Sequence, residues 1–181
     1  MSADNDCGAC EKKLLVSGDV GCGKTSLLFT YSRKTFPNSE NPFLYENYSA
    51  DVEVNEKVVK FELWDNTCQD HYSQIRTLNY PGTDVALLCF SVDDPNSLEN
   101  IKKKWLPELK LYCPNIPFLV VGNKSDLRKN STLENAVIFE HKKVAKELGA
   151  HAYLECSAKL QEGLQEVFET AAKLTLSVQN K

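Results

Sequence analysis

Residues 18–25 read GDVGCGKT. Gly18, Gly23, Lys24 and Thr25 fall at the spacing Gly-x-x-x-x-Gly-Lys-Thr, which marks a phosphate-binding loop when a strand precedes it and a helix follows. Both flanks are present. KKLLVS (12–17) is a short apolar run that reads as a buried strand, and TSLLFTYSRK (25–34) spaces Leu27, Leu28 and Tyr31 along one face of a helix. In that context the backbone N–H groups of Val20, Gly21, Cys22, Gly23, Lys24, Thr25 and Ser26 can wrap an anionic phosphate chain, helped by the helix N-terminus. The Lys24 ammonium can reach the phosphates as a point charge, and the Thr25 hydroxyl is a candidate ligand for Mg²⁺. Val20 is the one residue of the loop that this pattern does not explain.

Outward from the loop, strands alternate with helices. SADVEVNEKVVKFELW (49–64) reads as a hairpin turning at Asn55-Glu56, with Val52 and Val54 alternating before the turn and Val59, Phe61 and Leu63 after it. DVALLCFSV (84–92) and FLVVG (118–122) are continuous apolar runs, as buried parallel strands require, and HAYLEC (151–156) is a short strand. A helix is expected over 95–112, with Pro95 in its first turn and Leu98, Ile101, Trp105 and Leu109 on one face. Further helices are expected over 138–148 and along GLQEVFETAAKLTLSV (163–178). Residues 35–48 read as a loop, and 65–82 as a loop with a short helix. This order predicts a flexible tail (1–11) and one α/β domain (12–179). Its sheet is six-stranded and mostly parallel, with one antiparallel edge strand and helices on both faces. Ligands of such sheets sit at the carboxyl ends of the strands.

Two further motifs fall at those ends. NKSD (123–126) follows the FLVVG strand. The Asp126 carboxylate can accept from both N1–H and the 2-amino group of guanine. Adenine lacks that donor pair, and a site left unpaired in this way discriminates by about 10⁴ or more. Asn123 can bond the base and the stem of Lys124 can cover its face. CSAK (156–159) ends the next strand; Ser157 can brace the loop, the Ala158 N–H can reach guanine O6, and Lys159 completes the motif. Phe36 can stack on the base from the other side, although an isolated phenylalanine is more often core.

Composition excludes other classes. The net charge of −4 argues against a nucleic-acid partner. Hydrophobic residues make up 42% and charged residues 25%, the balance of an ordinary globular domain. The seven cysteines have no spacing framework and fit reduced thiols in a cytoplasmic protein. Cys7 and Cys10 form a lone CxxC without the second pair or histidines that zinc needs, and read as incidental. The N-terminus is not a signal peptide, and no apolar run reaches the length of a membrane span. The chain closes in LSVQNK, without a basic run or lipidation box. Peripheral membrane association is therefore expected only through a lipidated terminus beyond this end. A monomer is expected.

The combination resembles the Ras-superfamily small GTPases, and within them the Rho family. The Rho likeness rests on LYENY (44–48), LNYPGTDVALLCFSV (78–92), NSLENIKKKW (96–105), CPNIPFLVVGNKSDLR (113–128) and AYLECSAK (152–159), and it spans residues 12–179. It implies the small G-protein form of the P-loop NTPase fold, with GTP or GDP and Mg²⁺ as ligands. It assigns Mg²⁺ to Thr25 and, through water, to Asp65, and makes Gln69 and Lys24 the candidate catalytic residues. It places effectors, exchange factors and activating proteins at residues 38–48 and 64–80, where Leu44, Tyr45 and Trp64 match partner-contacting positions. Actin regulation is implied on the same ground. The segment after Leu127 is shorter than the helical insert typical of Rho proteins.

Departures from the family pattern cluster around the terminal phosphate. The resemblance places glycine at position 20, leaving room for the glutamine and for an arginine finger worth about 10³–10⁵ in rate. Val20 is β-branched and stiff, and its methyls are expected to occupy that room. The family's DTAGQE appears as DNTCQD (65–70), so Cys68 replaces a hinge glycine. Phe43 stands where a threonine clasps Mg²⁺ and the γ-phosphate, and Glu40 where a tyrosine closes over the phosphates. Phe43 either packs into apolar surface or leaves the loop open; on both readings the side-chain ligand is gone. The energy that separates GTP-bound from GDP-bound states is expected to be small. The pattern is similar to that of atypical Rho proteins of the Rnd type, poor hydrolases that stay loaded with GTP, but Gln69 sets this chain apart. Two readings stay open. Gln69, Lys24, Thr25 and Asp65 support a slow GTPase that cycles. Val20, Phe43, Glu40 and Cys68 support a binding module with nucleotide as a lasting cofactor.

Overall fold

The computed structural model describes residues 10–38, 48–66, 73–128 and 134–178. Its centre is β1 (Cys10–Gly18), whose last five residues are all buried. It is flanked in parallel by β3 (Lys57–Asp65) and β4 (Val85–Ser91). β5 (Phe118–Asn123) and β6 (Ala152–Glu155) extend the parallel sheet on one side. β2 (Tyr48–Val54) closes the other side as an antiparallel edge strand. The order is β2-β3-β1-β4-β5-β6, the mostly parallel six-stranded sheet that the apolar runs predict. Strands covered on both faces are continuously apolar, as in β4 and β5, whereas the edge hairpin alternates buried and exposed residues.

Two apolar layers cover the sheet. On one face, Leu14 and Val16 pack with Leu27 and Leu28 of α1 (Lys24–Arg33) and with Val167, Phe168 and Ala171 of α6 (Leu164–Val178). The Phe168 ring stacks on Tyr31 with centroids 3.7 Å apart. On the other face, Leu15, Leu88 and Phe90 meet Ile101, Trp105 and Leu109, with Ala145 of α5 (Glu134–Glu147) completing the layer. A short helix, α2 (Ser73–Thr77), precedes the buried Tyr80 of this second layer.

The helix expected over 95–112 is one rod with a defect. α3 (Pro95–Asn100) starts at an Asp94 cap that accepts from the Asn96 N–H. A π-helical turn (Ile101–Trp105) follows, closed by the Leu106 N–H donating to the Ile101 carbonyl, and α4 (Leu106–Tyr112) continues from it. Pro107 supplies the reason. It lacks an N–H and its ring would press on the carbonyl four residues back, which a widened turn relieves. α5 begins at Glu134, four positions before the expected 138.

The β2–β3 turn lies at Asn55-Glu56, as the alternation predicts, with φ of 52° and 61°. Both residues are left-handed, the conformation of a type I′ hairpin, which favours Asn followed by Gly. Glu56 carries the steric cost of its Cβ there, about 1 kcal/mol. Glu56→Gly is therefore expected to stabilise the protein by up to about 1 kcal/mol in urea denaturation; a loss of stability would contradict the assigned turn.

Candidate functional site

The carboxyl ends of β1, β3, β4 and β5 lie along one edge of the sheet because these strands are parallel. The glycine loop leaves β1 at that edge. Gly18 sits so close to β4 that a Cβ there would meet the Cys89 carbonyl oxygen at 2.1 Å. Gly23, at φ 95°, caps α1 and faces Asn123, where a Cβ would come within 3.3 Å. Lys24 is buried, and its ammonium donates to the Gly18 carbonyl at 2.8 Å and the Asp19 carbonyl at 2.7 Å. A cavity of about 370 Å³ lies against the loop, lined by Val20, Gly21, Gly23, Lys24, Thr25, Ser26 and Lys124. A positive charge, glycine backbone and a helix N-terminus therefore converge on one concave surface, the arrangement that binds phosphate. Val20 keeps a negative φ and is 72% exposed at this surface.

The loop holds one feature that its spacing does not announce. Asp19 puts a carboxylate into an anion-binding loop. Its Oδ1 accepts from the Trp105 indole N–H and its Oδ2 from the Asn100 amide, each at 2.7 Å. The charge is thereby bound to the helical rod instead of facing the cavity, and the π-helical turn includes Trp105. The Arg76 guanidinium lies 5.0 Å from the centre of the same indole ring and forms a two-toothed pair with Glu108. Tyr80 also donates to Glu108. Burial works to raise the Glu108 pKa, but the bonds from Arg76 and Tyr80 hold it below the ordinary value. An acidic residue inside a phosphate loop was the available signal for the Asp19 tie, since such a charge needs donors elsewhere.

Thr25 and Asp65, the two residues assigned to Mg²⁺, lie in contact. The Thr25 hydroxyl donates to Asp65 Oδ2, while Oδ1 is buried with no hydrogen-bond partner among the described residues. Burial raises the Asp65 pKa, against the opposing pull of the Thr25 bond and the Lys24 charge. An unsatisfied buried carboxylate oxygen beside a hydroxyl suits a divalent cation. Among the described residues no group of three or more His, Cys, Asp or Glu side chains converges on a metal. A cation here would draw its other ligands from phosphate and water.

A second cavity, of about 180 Å³, adjoins the first at Gly23, Ser26 and Lys124. Phe36, Asn123, Asp126, Leu127, Ala158 and Lys159 complete its lining. Two motifs 30 residues apart in sequence thus share one slot with an apolar ring on its wall. The Ser157 hydroxyl donates to Asp126 Oδ1 at 2.5 Å and fixes the carboxylate. Asn123 is buried and engaged at both ends of its amide: Nδ2 donates to the Cys22 carbonyl at 3.0 Å, and Oδ1 accepts from the Cys156 thiol at 3.2 Å. It ties the phosphate loop to the base loops, and any contact to a base falls to its second N–H.

The remaining assignments divide. Glu40, Phe43, Leu44, Tyr45, Cys68 and Gln69 lie outside the described residues. Trp64 is 38% exposed, with the Lys13 ammonium 3.9 Å from its ring centre. Cys22, Cys89, Cys113 and Cys156 are unbridged thiols, and burial raises each pKa. Among the described residues no helix is long and apolar enough to cross a membrane.

The model of one protein family, the Ras family, matches residues 13–177. Members bind guanine nucleotide, typically with Mg²⁺, and interact with effectors, exchange factors and activating proteins. The match runs from β1 through α6 and includes the glycine loop, both strand-end motifs and the sheet that brings them together. The chain is a small GTP-binding protein and belongs to the Ras family.

Proposed function

We propose that this protein is a Rho-type small GTP-binding protein that holds guanine nucleotide with Mg²⁺, hydrolyses GTP slowly and so keeps one partner-binding surface on display for long periods. The observation that carries this reading is Val20, 72% exposed on the cavity that the phosphate loop lines. On this reading its two methyls take the room that the glutamine and an incoming guanidinium need, as the family resemblance of position 20 implies. Asp126, braced by Ser157, is the base-reading group; Lys24 is the phosphate charge; Thr25 and Asp65 are the metal ligands, Asp65 through water. The Rho assignment is supported by the sequence stretches 44–48, 78–92, 96–105, 113–128 and 152–159.

A partner surface over residues 64–80 is supported by exposed apolar side chains. Trp64, Ile75 and Leu78 are 38%, 55% and 74% exposed. Such groups, one on the end of β3, one on α2 and one just after it, suit effectors, exchange factors or activating proteins. A second reading, a GTPase that cycles at the family's ordinary unassisted rate, is favoured by one residue, Gln69.

Loading the protein with GTP and following the bound nucleotide by chromatography over hours separates the two. The family's unassisted rate is on the order of 10⁻⁴ s⁻¹, which converts most of the nucleotide within several hours. GTP still largely unconverted after that time is the expected result. Conversion of most of the GTP within those same hours would remove the proposal of slow hydrolysis.

A further inference from the structure

The two base loops are joined at three levels. Their backbones meet where the Ser125 N–H donates to the Cys156 carbonyl at 3.1 Å. Ser157 then bonds Asp126 at the cavity. A third tie follows, in which Arg128 Nη2 donates to Glu155 Oε1 at 2.6 Å. Arg128 lies two residues beyond Asp126, and Glu155 two residues before Ser157. The ion pair therefore spans the same two loops as the Ser157 bond.

This pair is built in, not a surface accident. The Arg128 side chain is 8% exposed and that of Glu155 17%. Arg128 Nη1 is buried without a hydrogen-bond partner among the described residues, so Glu155 supplies the main compensation for a buried charge. Glu155 Oε1 also accepts from the Tyr153 hydroxyl, which lies 3.1 Å from His141 Nδ1 on α5. The His141 ring meets Phe90 edge-on at 5.1 Å, anchoring that end of the network in the core. Burial pushes the Glu155 pKa up, but bonds from His141, Tyr153 and Arg128 and the Arg128 charge bring it below the ordinary value. The carboxylate stays ionised and available to Arg128. Removing one member of a buried pair leaves the other uncompensated, so the loops must rearrange to rehydrate it.

We infer that Arg128 and Glu155 are positioning residues for the nucleotide base, an outer clamp that sets where the Asp126 carboxylate stands relative to Ala158. The inference rests on the guanine-binding reading above. Two loops that approach a flat base from different strands need a fixed separation, because a small displacement of an acceptor weakens both of its bonds. The Ser157 hydroxyl, itself held by the Leu160 N–H at 3.1 Å, ties the two loops at one point only. The ion pair, held in turn by Tyr153 and His141, supplies a second point, and two ties fix a separation that one leaves free to pivot.

The test compares GDP with IDP, which lacks only the 2-amino group that Asp126 is placed to accept. Affinities for both, and for ADP, are measured by fluorescent-nucleotide displacement in wild type, Arg128→Met, Glu155→Gln and Tyr153→Phe, with thermal melts as the folding control. A general loosening lowers GDP and IDP affinity together and leaves their ratio unchanged. A displaced Asp126 lowers the ratio. Arg128→Met and Glu155→Gln are expected to reduce the GDP-over-IDP preference by about tenfold, the value of one hydrogen bond to a charged group. Tyr153→Phe removes a single hydroxyl and keeps the ring, so it remains decisive if the other variants do not fold; a drop of about threefold in the same ratio is expected. A wild-type preference that survives intact in every folded variant overturns the clamp. Equal wild-type affinity for GDP and ADP removes the guanine reading itself, and the clamp's role with it.

Discussion

Replacing Asp126 by alanine is expected to weaken GDP binding by roughly 10²- to 10⁴-fold, the value of two hydrogen bonds to a carboxylate. It should also abolish the preference for GDP over ADP. The carboxylate lines the slot that also holds Phe36, Lys124 and Ala158, and Ser157 fixes one of its oxygens. A guanine placed there offers N1–H and the 2-amino group together; an adenine leaves the carboxylate without donors. Titration calorimetry with GDP and ADP against wild type and variant measures both effects. Ser157→Ala should show a smaller loss in the same direction, about tenfold, because the carboxylate remains but is no longer held. Wild-type protein that binds ADP as tightly as GDP would sink the assignment of this slot to guanine.

The second large effect concerns the response to an activating protein. An arginine finger is worth about 10³–10⁵ in rate, or roughly 4–7 kcal/mol of transition-state stabilisation. Val20 stands exposed on the cavity against the phosphate loop, and the proposal of slow hydrolysis puts its methyls in the path of such a finger. Wild type is therefore expected to be stimulated less than about tenfold by a Rho-type activating protein, and Val20→Gly to regain a substantial part of the family's response. The substitution is well suited to the test. Val20 keeps a negative φ, so glycine relieves no strain and costs only about 0.5–1 kcal/mol of backbone entropy. Single-turnover hydrolysis with and without the activator gives the ratio directly. Thousandfold stimulation of the wild type would show that the valine methyls leave the space open.

The phosphate loop, the two base motifs and the parallel sheet were legible in the sequence because each is encoded locally. A glycine whose φ must be positive, a strand covered on both faces and a turn at Asn55-Glu56 leave their mark within a few residues. The resemblance of GDVGCGKT, NKSD and CSAK to one family added an order for these pieces along the chain. The π-helical turn was not legible, although Pro107 was its signal, because periodicity on either side of one widened turn is nearly unchanged.

What tertiary structure alone decided are the ties between distant segments. Asp19 meets Trp105 across 86 positions of sequence, Asn123 meets Cys22 across 101, and Thr25 meets Asp65 across 40. None of these pairs has a local pattern. Each exists because the sheet order puts β3 and β4 on either side of β1, with β5 next beyond β4, so that loops far apart in the chain leave one edge of the sheet together. The same holds for Arg128 and Glu155, which are neighbours only because β5 and β6 are. The sequence determined which residues can bind a phosphate and a purine, because those capacities belong to side-chain chemistry and backbone freedom. The sheet order determined which oxygens and nitrogens face one another, because a hydrogen bond depends on positions within a few tenths of an ångström, and only the folded chain sets those.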